Sequence, residues 1–149
     1  MQIPSLAQLI PILQTAIGPV ILISGIGLLL LTMTNRLGRV IDRARSLARE
    51  RLEADEITGE KIEAQLSILW MRARLIRLAI VLSSMSALAA AVLIISLFFT
   101  ALLQIESSLI VGALFILCMA CLVGSLVVFI HDLNRSLAAL KLELDGSLK

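Results

Sequence analysis

The chain has 149 residues, of which 59% are hydrophobic and 16% charged, and its formal net charge is +2 at pH 7. Soluble domains contain roughly 45–50% apolar residues, and so few charged side chains do not cover this much apolar surface in water. The composition excludes an ordinary soluble domain. Residues 36–77 hold ten Lys and Arg but also seven Asp and Glu, and this excess of three positive charges argues against nucleic-acid binding. The composition and the length favour a single membrane domain, residues 1–149.

Three apolar runs without an ionisable side chain dominate the sequence. They occupy residues 3–32, 78–103 and 109–130. A helix crosses the hydrocarbon core with about 20 apolar residues, at a rise of about 1.5 Å each. The sequence therefore predicts an all-α membrane protein with three transmembrane helices that extend into a cytoplasmic helical hairpin or bundle.

The first apolar run is too long for one perpendicular span and contains proline. We expect Pro19 to interrupt it, because proline lacks a backbone donor and disfavours helix at Gly18. This gives an outer or interfacial segment at 5–17 and a first span at 19–35, although one longer helix kinked at Pro19 stays open. A signal peptide is not expected, because no Lys/Arg region precedes the run and no cleavage pattern follows it.

Between the first two spans, residues 36–77 carry apolar side chains at spacings of three and four. This pattern predicts two helical arms that pack as an antiparallel hairpin. The break is expected at 54–59, with Thr58 as the N-cap of the second arm. Spans at 78–103 and 109–130 follow, and residues 131–149 continue the spacing as a helical tail.

The positive charges predict the orientation of the chain. Ten of the 13 Lys and Arg residues lie within 36–77, and the other three follow the last span. Neither the first 35 residues nor the connection at 104–108 has one. Because cytoplasmic loops collect Lys and Arg, we expect the hairpin and the C-terminus to be cytoplasmic and the N-terminus to be outside.

One cluster of ionisable residues should lie at the inner face of the membrane. Asp132 is the expected acceptor there for Arg36 or Arg77, since ionisable groups at this depth need partners. The cluster is interpreted either as an interhelical clamp or as a pocket for a lipid headgroup or another anion. Its members are Arg36, Arg39, Arg74, Arg77, Asp132 and Arg135.

Small residues recur four apart in the second and third spans, which lets membrane helices approach closely. They either pack within one subunit or form a homo-oligomer interface, and the two interpretations stay open. A pore lined by hydroxyls is a weaker alternative. The candidate packing residues are Ser83, Ala87, Ala91, Ala120 and Gly124.

Residues that carry catalysis or bind metals are scarce. Cys118 and Cys121 form a C-x-x-C in the middle of a span, with no His after it and no further ligands beside it. The single histidine, His131, is expected to be an interfacial packing residue. We predict no catalytic residue, no metal site and no cofactor, and therefore no enzyme.

The residues around the end of the first span are similar to a known family. Asn35, Arg36, Leu37, Arg39, Asp42, Arg43 and Arg45 form the pattern N-R-L-x-R-x-x-D-R-x-R, after a Gly-Pro-Val at residues 18–20. This pattern resembles that of an uncharacterised family of small bacterial membrane proteins. The resemblance implies a bacterial inner (plasma) membrane protein with three spans. It implies no activity.

The sequence thus predicts a structural or interaction module that presents a basic cytoplasmic helical bundle to a protein or an anionic lipid. Its expected partners are membrane lipid, further copies of itself and a cytoplasmic protein, and not nucleic acid. The alternative function is an oligomeric ion channel or a small transporter.

Overall fold

A computed structural model describes residues 6–103 and 108–147, with the side chains of 10–11, 14–103 and 108–135. It contains three helices, α1 (Leu6–Glu53), α2 (Glu56–Leu103) and α3 (Ser108–Ser147), and no strand in the described ranges. Each helix has a stretch long and apolar enough to cross a membrane. The prediction of an all-α chain with three such helices is therefore confirmed.

Helix α1 continues through both of its prolines, Pro11 and Pro19. The break expected at Gly18 and Pro19 is not formed, and the alternative of one longer helix is the observed one. Packing on both sides of Pro19 explains this, since Ala16 before it and Ile26 after it are buried and membrane helices tolerate proline when neighbouring groups compensate for the lost donor. Whether residues 6–17 lie in the interface stays a prediction.

The turn between α1 and α2 is shorter than expected. Only Ala54 and Asp55 lie outside the helices, and the Asp55 carbonyl accepts the first hydrogen bond of α2, from the Gly59 N–H at 2.8 Å. Asp55 is therefore the N-cap residue. The break lies within the expected range 54–59 but is limited to two residues, and the prediction of Thr58 as N-cap is wrong. The sequence signal was ambiguous because aspartate and threonine both favour this position.

Gly59 explains how the turn closes so tightly. The Arg51 guanidinium lies over it, and a Cβ at this position would be 2.5 Å from the Arg51 Cζ. From there the Arg51 Nη2 reaches the Glu63 Oε1 at 3.0 Å. A larger residue at position 59 would displace the arginine that joins the two arms of the hairpin.

The chain divides into two compact units. We call Met1–Leu30 with Leu82–Gly124 the apolar unit, and Leu31–Val81 with Ser125–Lys149 the charged unit. In the apolar unit, Ala89, Ala90 and Cys118 form a buried cluster against which Leu22 and Ile23 pack. Ile26 and Leu93 are also buried, while many other large apolar side chains of this unit, such as Leu28 and Ile116, are exposed, as on a surface that faces lipid.

The core of the charged unit lies between all three helices. Met33, Val40 and Leu47 are buried on α1 at intervals of seven residues, which places them along one face of the helix. Met33 and Val40 pack with Ile76 and Ala79 of α2. The α3 residues Val128 and Phe129 pack against the same cluster, which therefore contacts all three helices.

Candidate binding surface of the charged unit

Helix α3 directs polar groups at α2 through a regular spacing. In the charged unit, the Ser125 hydroxyl donates to the Ala79 carbonyl at 2.7 Å. Seven residues further along α3, Asp132 faces Arg72, which lies seven residues before Ala79 on α2. A step of seven residues returns to nearly the same face of a helix. In two antiparallel helices, a step of seven forward on one therefore faces a step of seven backward on the other. The spacing fixes which α2 residue Asp132 meets.

The Asp132 carboxylate lies between two guanidinium groups, and its side chain has 0% exposure. The Arg36 Nε is 3.0 Å from its Oδ2, and the Arg72 Nε is 3.7 Å from its Oδ1. These two arginine side chains are 18% and 26% exposed. The Arg36 guanidinium also lies 5.7 Å from the centre of the Phe129 ring, within the range of a cation–π interaction.

This buried ion cluster joins the three helices, because Arg36 belongs to α1, Arg72 to α2 and Asp132 to α3. A carboxylate removed from water is stable only when opposite charges compensate for its lost hydration. Two cations and one anion leave a formal excess of one positive charge in the cluster. The arrangement can hold the helices together and attract negative groups to the adjacent surface.

The other members of the predicted cluster do not contact Asp132. Arg39, Arg74 and Arg77 are exposed. Arg135 is also exposed, and its Nη1 lies 3.1 Å from the Met71 Sδ. The structure thus brings together Arg36 and Asp132 and leaves the other four on the surface.

The sequence does not single out Arg72, which is the second partner of Asp132. It is one of ten cations in the segment 36–77, and the pattern of α2 alone does not distinguish it from the others. Its position seven residues before Ala79 and fourteen before Ser86, both of which face α3, is the signal that distinguishes it. That signal needs the pairing of α2 with α3 and was not readable from α2 alone.

A groove of about 880 Å³ runs along the two arms of the hairpin, and we call it the basic groove. Most of its lining is apolar, and three arginines, Arg45, Arg74 and Arg77, are its charged members. The lining residues are Leu37, Val40, Ile41, Ala44, Arg45, Ala48, Leu66, Ser67, Leu69, Trp70, Ala73, Arg74 and Arg77. An apolar floor with cationic edges suits a partner that is apolar on one side and negatively charged beside it.

In the apolar unit, Ser86 and Cys118 form a reciprocal contact between α2 and α3. The Ser86 hydroxyl donates to the Cys118 carbonyl at 2.8 Å, and the Cys118 thiol lies 3.3 Å from the Ser86 carbonyl as a weak donor. Small buried residues with polar side chains are the groups that join helices in lipid. These two side chains are thereby used in packing within one chain.

The predicted packing residues differ in burial. Ser83 is buried, while Ala87 and Ala91 are half-buried. A Cβ at Gly124 would meet the Leu82 side chain at 3.7 Å, an ordinary packing distance. Ala120, by contrast, is exposed on the single chain. The structure therefore places four of the five within or beside the contacts of one chain.

Comparison with known proteins identifies a family and no activity. A family model described as "Protein of unknown function (DUF2721)" matches residues 16–142, which is most of the chain. No curated protein matches, and no solved structure matches. The expectation of an uncharacterised family is confirmed, while the sequence pattern at residues 35–45 and the bacterial origin stay predictions.

Proposed function

The chain belongs to the DUF2721 family of proteins of unknown function, and from its charged unit we propose that it is a non-enzymatic interaction module of a bacterial inner membrane. In this proposal the helical hairpin is cytoplasmic and presents exposed arginines to a negatively charged partner, which is either a protein or an anionic lipid. The N-terminus lies outside, and the C-terminus lies in the cytoplasm.

The charge distribution supports this orientation. Of the 13 Lys and Arg residues, ten lie in the segment 36–77 and three after residue 130. If the chain crosses the membrane three times, both regions lie on the same side of it. Lys and Arg near the ends of spans are retained on the cytoplasmic side, so both regions are assigned to the cytoplasm together.

The observation that carries the proposal is a basic surface on a firmly held unit. Asp132 and its two arginines join α1, α2 and α3 at the base of the hairpin. Arg74 and Arg77 are exposed beside this base, and neither forms an ion pair within the part of the chain that the structure describes. Because the backbone beneath these two arginines belongs to a packed helix, only their side chains need to be ordered when an anion binds.

The alternative of a hydroxyl-lined channel has less support. The Ser86 and Ser125 hydroxyls donate to carbonyls of the facing helix, and the Ser96 hydroxyl donates to the Val92 carbonyl of its own helix. Contacts within and between the helices thus account for these hydroxyls without a pore. Sustained single-channel currents from the protein in planar bilayers would favour the channel over the interaction module.

Two double variants that remove the same charge test the proposal. R74Q/R77Q removes two arginines of the basic groove, and R43Q/R49Q removes two exposed arginines of α1 that do not line it. One measurement is native mass spectrometry of protein released from nanodiscs of equal phosphatidylglycerol and phosphatidylcholine. The other is chemical cross-linking in cells.

We expect the wild type and R43Q/R49Q to retain phosphatidylglycerol or a discrete cross-linked protein, and R74Q/R77Q to lose it several-fold. The proposal is wrong if neither measurement detects a negatively charged partner of the wild type. It is also wrong if the two double variants behave alike in both measurements.

A further inference from the structure

The described contacts of α3 with α2 lie on a different side of α2 from the basic groove. Trp70 and Arg77 line the groove, while Arg72 and Ala79 contact α3. Trp70 and Arg72 are two positions apart on α2, as are Arg77 and Ala79. Two positions correspond to about 200° around a helix of 3.6 residues per turn. Among the described side chains, the groove is lined by α1 and α2 alone.

Much of the groove lies in water. Ala44 and Ala48 line its far end and follow the last residue of the first apolar run, Thr32, by 12 and 16 positions, or about 18–24 Å of helix. The headgroup layer on one side of a bilayer is only about 5–8 Å thick. Even a helix tilted by about 40° carries this end of the groove beyond the headgroups, where acyl chains do not reach.

An apolar surface at this position is unfavourable while it is exposed to water. Trp70 is 76% exposed and Ile41 is 38% exposed, and both line the groove. Trp70 is also the only tryptophan of the chain. The groove therefore gains from a cover that supplies apolar side chains to the aqueous end.

Charge selects the kind of cover. The lining includes Arg45, Arg74 and Arg77 and no acidic residue. Arg45 has only a long contact of 3.9 Å with the exposed Asp42. A second copy seated groove to groove would place six arginines opposite one another, which is costly at an interface. A partner with acidic residues beside its apolar face meets the same arginines favourably.

We propose that the basic groove binds an amphipathic helix of another protein, with glutamate or aspartate flanking its apolar face. The inference rests on the proposed function and names the partner of the same surface. From Leu37 to Ala48 the groove spans about three helical turns. That length matches the i, i+3, i+4, i+7 pattern with which amphipathic helices occupy apolar grooves.

Trp70 provides a built-in reporter of occupancy, because its fluorescence emission shifts to the blue when water around the indole is displaced. The full-length protein is placed in phosphatidylcholine nanodiscs. It is titrated with a helical peptide of about 15 residues that has leucine at i, i+3, i+4 and i+7, glutamate on both flanks and no tryptophan. A second peptide keeps the leucines and carries lysine in place of glutamate.

We expect a saturable blue shift with the glutamate peptide. The apparent Kd should be at least about tenfold higher for the lysine peptide with the wild type, and for the glutamate peptide with R74Q/R77Q. The variant R43Q/R49Q, which removes the same charge elsewhere, should bind the glutamate peptide like the wild type.

Equal shifts with both peptides, or no shift with either, would overturn the inference. A blue shift produced by phosphatidylglycerol without peptide would identify a lipid as the occupant instead. A shift that depends on protein concentration without peptide would identify a second copy. The lipid result would leave the proposed function in place. The proposed function fails on a different result, namely when neither the retained lipid nor the cross-linking distinguishes R74Q/R77Q from R43Q/R49Q.

Discussion

Replacing the buried carboxylate of Asp132 tests the ion cluster at the base of the hairpin. D132N keeps the size of the side chain and removes its charge, which leaves Arg36 and Arg72 without their shared anion. Loss of one partner of a fully buried pair costs about 3–5 kcal/mol. Because the two arginines are 18% and 26% exposed and can move toward water, we expect the lower end of this range, about 3 kcal/mol.

The assay is the free energy of unfolding in mixed dodecylmaltoside–SDS micelles, followed by far-UV circular dichroism. D42N is the matched control, since the Asp42 side chain is 76% exposed and lies 3.9 Å from Arg45. An exposed pair of this kind contributes at most about 1 kcal/mol. If D132N were no more destabilising than D42N, the cluster would not hold the helices together, and the reasoning from burial would be refuted.

The distances also rank the two arginines. Arg36 is 3.0 Å from the carboxylate and contacts Phe129, whereas Arg72 is 3.7 Å away. R36Q should therefore destabilise the protein more than R72Q in the same assay. The reverse order would show that the longer contact is the stronger one.

Further predictions concern the packing of the helices and use the same unfolding assay. S86A should cost about 0.6 kcal/mol, the average for a hydrogen bond between membrane helices, while S96A should change little because that hydroxyl bonds within its own helix. A90L should cost about 1–3 kcal/mol by overpacking, since Ala90 is 1% exposed. A120L should change the free energy of unfolding of one chain by no more than about 0.5 kcal/mol, because Ala120 is on the surface. If sedimentation in detergent shows an oligomer that A120L dissociates, Ala120 lies in the interface of that oligomer. R51Q should cost at most about 1 kcal/mol, and the loss should shrink at high salt.

The sequence predicts the three helices well because their apolar runs have no charge and exceed the length of a span. It also predicts that Asp132 pairs with Arg36 or Arg77, since all three lie at the same depth, and the structure shows the pair with Arg36. The position of Arg72 depends on how α2 and α3 are paired. Many pairings satisfy the two hydrophobic patterns, and packing selects the one in which Asp132 meets Arg72 and Ser125 meets Ala79.

The basic groove and the turn show a second limit of the sequence. Val40 and Ile41 belong to the same apolar stripe, yet Val40 is buried while Ile41 is 38% exposed and lines the groove. A periodic pattern identifies the apolar face of a helix. It does not show how much of that face a neighbouring helix covers. Likewise, α2 already includes Thr58 and Gly59, which the sequence places in the break, and the Arg51 guanidinium lies over Gly59. That contact joins residues eight positions apart across a turn and is not visible in a periodic pattern.

The proposed function requires a chain that crosses the membrane three times with its hairpin in the cytoplasm, and cysteine labelling tests this most directly. In a C118A/C121A background, Ile57→Cys marks the hairpin beside its tip, and Ser108→Cys marks the opposite connection. We predict that a membrane-impermeant maleimide labels the cysteine at position 108 in intact cells and the one at position 57 only in inverted vesicles. Labelling of position 57 in intact cells would contradict the account.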